Sequence, residues 1–335
     1  MKRFVAFGLA ALVLSLAACS GGKDKGGEIS IDGSSTVAPV SKAVAEEFQK
    51  SKKGAIKVVV GTSGTGGGFK KFVRGEIDIS DASRPIMEQE MKDAKEKGIE
   101  YIELPICYDA LTVAVHPKNH WVKHLTVAQL KKIWEPEARG KVTKWSDINP
   151  NWPDRTLRLF GAGTDSGTWD YFTEAVVGKA KSCRNDFTAS EDDNAIVTGI
   201  AGDEGALGFL PFSYYDQNRD KIKAVAIQWD KNKVKDPVLP SLEAVLEGTY
   251  NPLSRPLFIY VNKKSAERPE VKEFVEFYLK NATDLCKEVK YLPLPEKAYE
   301  LAQERFNKME TGTAFGGVPE VGLPVEDLLK RSPKH

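Results

Sequence analysis

The sequence predicts an α/β protein of two domains that face each other across a ligand cleft, with a mainly parallel sheet. Three observations carry this. Short β-branched runs alternate with amphipathic helical patterns along the chain, the signature of strand–helix–strand units. Three times a strand runs into a loop of small residues and then into a helix, at 33–36, 61–68 and 163–168. Setting aside an export segment leaves about 317 of the 335 residues, which is long for one core.

The export segment is Met1 to Ser20, MKRFVAFGLAALVLSLAACS. Lys2 and Arg3 precede an apolar run from Phe4 to Leu16, too short to span a bilayer and flanked like a signal peptide. Residues 1–18 therefore read as a signal peptide. Leu16-Ala17-Ala18-Cys19 is similar to the bacterial lipobox, which implies a lipid on Cys19. Residues 19–27, rich in Gly and Lys, follow as a lipidated tether.

Lys and Arg total 48 and Asp and Glu 47; without residues 1–18 the basic count falls to 46, a net charge of −1. No strongly basic face is expected, which argues against nucleic acid. Besides Cys19 the chain has Cys107, Cys183 and Cys286. An oxidising compartment allows three thiols one disulfide. Cys107 lies in the apolar run Pro105 to Tyr108 and reads as a small buried residue. Cys183 and Cys286, at the ends of helical patterns in polar surroundings, are the expected pair.

Taken in order, Ile29 to Ile31 is a strand entering Gly33-Ser34-Ser35-Thr36. Val40, Val44, Ala45 and Phe48 then fall at helical spacing, with Glu46, Glu47 and Lys50 outside. Ile56 to Val60 is the next strand, followed by the loop Gly61 to Gly68 and a helix carrying Phe69, Phe72 and Val73. Ile77 to Ile79 leads to Asp81 and Arg84; Glu88 to Lys97 is a charged surface helix. Ile99 to Pro105 and Leu111 to Val115 are strands, and Val127, Leu130, Ile133 and Trp134 mark a helix. Leu157 to Phe160 enters the third loop, after which Trp169, Phe172, Ala175 and Val176 share a helix face. Asp193 to Ala201 is helical, Ala206 to Pro211 and Leu257 to Val261 are strands, and helices at 269–281 and 295–309 close the chain.

The three loops are where chemistry is expected. A strand that ends in Gly, Ser and Thr before a helix aims N–H groups and hydroxyls at one point, where the helix dipole favours an anion. Any one of them is also an ordinary helix cap. Three in one chain, with Asp81 and Arg84 beside the second, point to an oxyanion, because α/β sheets bind ligands at the carboxyl ends of their strands.

Enzymatic motifs fail one by one. Gly61 to Gly68 lacks the Gly-Lys-Ser/Thr of a phosphate-transfer loop, and Phe69 or Lys71 stands where a dinucleotide loop needs its third glycine. Thr65 breaks the G-x-S-x-G elbow. His116, His120 and His124 are four apart, but Pro117 keeps them off one helix face, so they read as a solvated loop and no metal is expected. Glu191, Asp192 and Asp193 read as a helix N-terminus.

The lipobox, GSSTVAP, GTSGTGGG, DISDASRP, LTVAQLKKIW with KWSDI, and GTDSGT occur in order over about residues 28–320. This set resembles the phosphate-binding lipoprotein of the bacterial high-affinity phosphate ABC transporter. The resemblance implies the type II periplasmic-binding-protein fold, two α/β domains whose hinge closes on the ligand. Domain one would comprise 28–109 and 262–330 and domain two 116–254, with hinge segments at 110–115 and 255–261. Carried over residue by residue, the phosphate ligands would be Ser35, Thr36, Val37, Ser63, Gly64, Asp81, Ser166, Gly167 and Thr168. Where the family's familiar form has an arginine four residues before the serine of the third loop, this chain has Ala162. Arg84 is the natural substitute and Arg158 a weaker one.

The implied protein is a non-enzymatic, monomeric receptor without cofactor, anchored by lipid and facing the periplasm or cell exterior. It would pass phosphate to the membrane permease of an ABC transporter. Asp81 would accept the proton that phosphate still carries near neutral pH, while repelling sulfate, which has none to give. The alternatives are a binding protein of the same fold for molybdate, tungstate or sulfate, a phosphatase, and an adhesive or sensory surface protein.

Overall fold

A computed structural model describes residues 27–164, 167–179, 181–190, 192–318, 320 and 324–335. The expected signal peptide, Cys19, most of the tether and Ser166 lie outside the described residues.

Eight strands carry the architecture: β1 (Glu28–Gly33), β2 (Lys57–Val60), β3 (Ile79–Ala82), β4 (Tyr101–Val115), β5 (Arg158–Ala162), β6 (Thr188–Ser190), β7 (Ala206–Pro211) and β8 (Ser254–Asn262). Their order in the sheet is β2–β1–β3–β8–β4–β7–β5–β6. The outer ladders are parallel, β1 with β2 and β3, and β5 with β6 and β7. The central ladders, β3–β8, β8–β4 and β4–β7, are antiparallel. The sheet is therefore mixed, parallel only where helices connect the strands. The antiparallel centre arises because β4 and β8 carry the chain in opposite directions between the two ends of the sheet.

β4 is the spine. The sequence predicts two strands here, yet Ile106 to Ala110 continues the ladder and all 15 residues from Tyr101 to Val115 are buried. Its first half pairs with β8, and Leu111 to Val115 pairs with β7. In β8, Phe258 to Val261 pairs with β3 on one side and β4 on the other, while Ser254 to Pro256 pairs with Ala110 to Tyr108. A residue on β4 or β8 near Asp109 and Arg255 thus sits between the two halves of the sheet.

Helices cover the sheet for the expected reason. The helix Ala38–Ser51 buries Val40, Val44, Ala45 and Phe48 and packs on the long helix Pro269–Glu288, with the Phe48 and Phe274 rings 5.2 Å apart. At the other end, Phe172 stacks on Phe209 at 3.8 Å and Trp134 meets Phe209 edge-on at 5.0 Å. Asp192 caps the helix Asp193–Gly202 by accepting from the Asn194 N–H, the role expected for that acidic run.

Candidate functional site

The first wall of the site is built where β1, β2 and β3 end. Gly33 has φ +145°, and a Cβ there would lie 2.1 Å from the Asp81 carbonyl oxygen, so only glycine lets β1 and β3 approach. That approach lets the Ser34 N–H donate to the Asp81 carbonyl at 2.9 Å and turns Ser34, Ser35 and Thr36 across the strand ends. Gly64, at φ +81°, donates its N–H to the Gly33 carbonyl at 2.8 Å and starts the helix Thr65–Phe72. The Thr65 and Ser83 hydroxyls stand 3.0 Å apart, and the Ser83 N–H donates to Thr65 Oγ1 at 3.2 Å. Asp32 braces the second loop from behind, accepting from the Gly33 and Ser63 N–H groups and from Lys71. Burial would raise its carboxyl, but these bonds hold it below the ordinary aspartate value.

The second wall comes from the other end of the sheet and from β8. The helix Gly167–Phe172 continues into a wider turn, Thr173–Val177, so that Asp170 and Glu174 follow one another on one face. Asp170 Oδ2 accepts from the Ser35 hydroxyl at 3.2 Å, a direct contact between the walls. Its Oδ1 is buried with no hydrogen-bond partner, and burial raises the carboxyl above its ordinary value. Arg255 enters from β8, with its guanidinium over the Tyr171 ring at 3.5 Å and Nη1 3.1 Å from Glu174.

Between the walls lies a cavity of about 210 Å³, lined by Ser34, Ser35, Thr36, Gly64, Thr65, Gly66, Ser83, Arg84, Asp170, Glu174, Lys181 and Arg255. Organic ligands generally occupy roughly 300–1,000 Å³. A smaller chamber rimmed by hydroxyls, N–H groups, three cations and two carboxylates suits a compact oxyanion, and its formal surplus is one positive charge. Among the described residues no cluster of His, Cys, Asp and Glu could hold a metal ion.

A family model for the PBP superfamily domain matches residues 20–282. Protein SphX of Synechococcus elongatus is 52% identical over 302 residues, 90% of this chain and 88% of that protein. The phosphate-binding protein PstS of Staphylococcus saprophyticus is 38% identical over 92% of this chain and 95% of its own. The chain belongs to the phosphate-binding-protein family of the PBP superfamily. In keeping with that, the crystal structure of a possible phosphate-binding protein from Planctomyces limnophilus superimposes with a TM-score of 0.80 at 48% identity, covering 84% of this chain and 98% of the other.

Within this family frame, the structure brings Ser35, Thr36, Gly64 and Arg84 to the cavity. Of the other expected ligands, Val37, Ser63, Asp81 and Thr168 are not among the residues that line it. Val37 is fully buried at the start of the helix Ala38–Ser51. Ser63 points its N–H at Asp32, and Thr168 lines a different cavity, of about 160 Å³, beside Asp109. Gly167 opens the helix Gly167–Phe172. Asp81 is fully buried, with Oδ1 accepting from Ser41 at 2.8 Å and Oδ2 unpartnered; burial pushes its carboxyl up to about 8. It faces the packed helices behind β3, where Ser41 also meets the Tyr278 hydroxyl at 3.1 Å. Arg84 lines the cavity, but both its terminal nitrogens are held by Glu90 at 2.8 and 2.9 Å. Arg158 is exposed and lies 3.4 Å from Asp203.

The lining residues that the sequence expectations lack are Ser34, Thr65, Gly66, Ser83, Asp170, Glu174, Lys181 and Arg255. Thr65 and Ser83 each sit two residues from an expected ligand, Ser63 and Asp81, within the same motifs. Asp170, Glu174, Lys181 and Arg255 belong to no motif; their signal is tertiary.

The expected Cys183–Cys286 disulfide is absent: all three described cysteines are free. Cys286 points from the helix Pro269–Glu288 into the core, where its thiol lies 3.8 Å from the Ile106 carbonyl and contacts Cys107. Cys183 is half-buried at the far end of the sheet, with Trp169 and Arg184 as neighbours, and burial pushes its thiol up to about 12. Polar flanking sequence concealed that Cys286 lies on the buried face of its helix.

Proposed function

We propose that this chain captures inorganic phosphate in the cavity between the two walls and delivers it to an ABC permease. The observation that carries the reading is the chamber itself: an ion-sized cavity with hydroxyls and a helix N-terminus on one wall, whose charges balance once Glu90 is counted against Arg84. Many donors with little net charge are what a buried, partly protonated dianion requires. The first-turn N–H groups of the helix Thr65–Phe72 have no partners within the helix and supply part of that set. Asp170, with one unpartnered carboxylate oxygen at the chamber, supports selection for an anion that still carries a proton.

In this reading the protein is a receptor and performs no catalytic step. Cleavage after Ala18 would leave Cys19 to carry the lipid, and the tether would hold a monomer at the outer face of the membrane. Asp109 to Val115 and Ser254 to Leu257 would form the hinge, since β4 and β8 join the two halves there.

Calorimetric titration of the mature chain with phosphate and with sulfate tests the reading. Phosphate should bind at one site per chain and sulfate should be near silent. Equal affinity for the two anions contradicts it, and turnover of a chromogenic phosphate ester would contradict the receptor role.

A further inference from the structure

We propose that Arg255, on a strand that joins the two halves, is the arginine that holds the bound anion. The assignment rests on the phosphate reading above and replaces the arginine missing from the third loop. Three cations line the chamber, and they differ in what remains free. Lys181 is about two-thirds exposed, with its Nζ 3.8 Å from Asp170. Arg84 is half-buried but spent: Glu90 takes both terminal nitrogens, and the Pro85 carbonyl accepts from Nη1 at 3.1 Å.

Arg255 combines a largely buried side chain with an idle donor, Nε. Its side chain is 14% exposed, yet Nε makes no hydrogen bond and the nearest Asp109 oxygen is 3.9 Å away, beyond hydrogen-bond reach. Its one close partner is Glu174, which is about half exposed and so available to water. A guanidinium has five N–H donors, and leaving them unmet where water is scarce is costly. An oxyanion in the chamber would satisfy them.

Two contacts fix the plane of that fork. The Tyr171 ring lies beneath it at 3.5 Å, and the Tyr171 hydroxyl donates to the Pro252 carbonyl at 2.8 Å, tying ring and strand together. Asp109 stands directly opposite Arg255 in the β4–β8 register and supplies a counter-charge from behind. A lysine could provide charge here but neither the stack nor a two-pronged contact. Because Arg255 belongs to β8 and rests on a helix of the other half, an anion held by it is gripped from both.

The experiment titrates phosphate into the mature wild-type chain and into Arg255→Lys, Arg255→Ala and Arg84→Lys, with the thermal midpoint read with and without phosphate. We expect Arg255→Ala to weaken phosphate about 100-fold or more and Arg255→Lys at least about 10-fold, as for truncation of a buried, paired charge. Arg84→Lys should stay within about threefold, because Glu90 and not the ligand holds that fork. The rise in midpoint on adding phosphate should shrink in the Arg255 variants in step with affinity. If Arg255→Lys folds and binds phosphate like wild type, the assignment is overturned; Arg255→Lys is the deciding variant should the alanine not fold. A wild-type chain that ignores phosphate would refute the phosphate reading itself, a different outcome from normal wild-type binding with tolerant Arg255 variants.

Discussion

The two walls of the chamber are built on opposite principles. The wall from β1, β2 and β3 is made of hydroxyls and backbone already knitted together: Ser34 to the Asp81 carbonyl, Gly64 to Gly33, Thr65 to Ser83. The wall from the helix after the third loop and from β8 is made of charges that are loosely paired, with Asp170 Oδ1 and Arg255 Nε lacking partners. A preorganised polar surface supplies geometry at little reorganisation cost, while under-satisfied buried charges respond strongly to a ligand. On the proposed reading the first wall shapes the site and the second makes it selective.

Changes that break this contrast should differ in size and kind. The largest loss is expected from Gly33→Val. A branched side chain at φ +145° and 2.1 Å from the Asp81 carbonyl must part β1 from β3. Stability should fall by several kcal/mol, about 3 or more, with phosphate binding lost alongside; chemical denaturation measures it. Tolerance of valine would mean that the first wall is not rigid.

Next comes Asp170→Asn. Removing the acceptor should cost phosphate on the order of 1–3 kcal/mol and let sulfate bind measurably, narrowing the preference by at least about tenfold. Competition titrations report the ratio, and an unchanged preference would return the selective role to the first wall. Ser83→Ala and Thr65→Val should each cost about 1 kcal/mol of phosphate affinity without altering that preference, as expected of wall-one donors.

The smallest effect on binding is expected from Asp81→Asn, because the carboxylate sits behind the wall. Its effect falls on stability instead. Asp81 keeps its proton up to about pH 8 when folded, against 3.8 for an ordinary aspartate. The folded state therefore binds more protons than the unfolded state between those values, and stability falls as pH rises through that window. Asparagine should flatten this slope, leaving the lower part that Asp109 contributes up to about 6. Denaturation midpoints across the window would show it. A steep loss of phosphate affinity would instead place Asp81 at the ligand.

The same contrast explains what the sequence disclosed. Loops of the first wall are local objects: a β-branched run, a few small residues and a helix start within a dozen positions, readable from 33–36 and 61–68 as they stand. The α/β class followed from the same alternation. Position within those loops was less legible: Thr65 and Ser83 line the chamber while Ser63 meets Asp32 and Asp81 meets Ser41, and no one-dimensional pattern encodes that difference. The second wall was hidden for a stronger reason. Asp170 and Glu174 read as ordinary polar positions of an amphipathic helix, and Arg255 is separated from Arg84 by 171 residues of chain. The β4–β8 register sets Arg255 against Asp109, and helix packing brings Tyr171 to it. Antiparallel pairing at the centre of the sheet was equally invisible, being a consequence of which strands cross between halves.

One measurement tests the account most directly: a crystal structure of the mature chain grown with phosphate. The anion should lie in the 210 Å³ chamber, within hydrogen-bond distance of Thr65 and Ser83 on one wall and of Asp170 and Arg255 on the other. Phosphate found instead beside Thr168 and Asp109, or contacting Asp81 while Arg255 stays with Glu174, would contradict it.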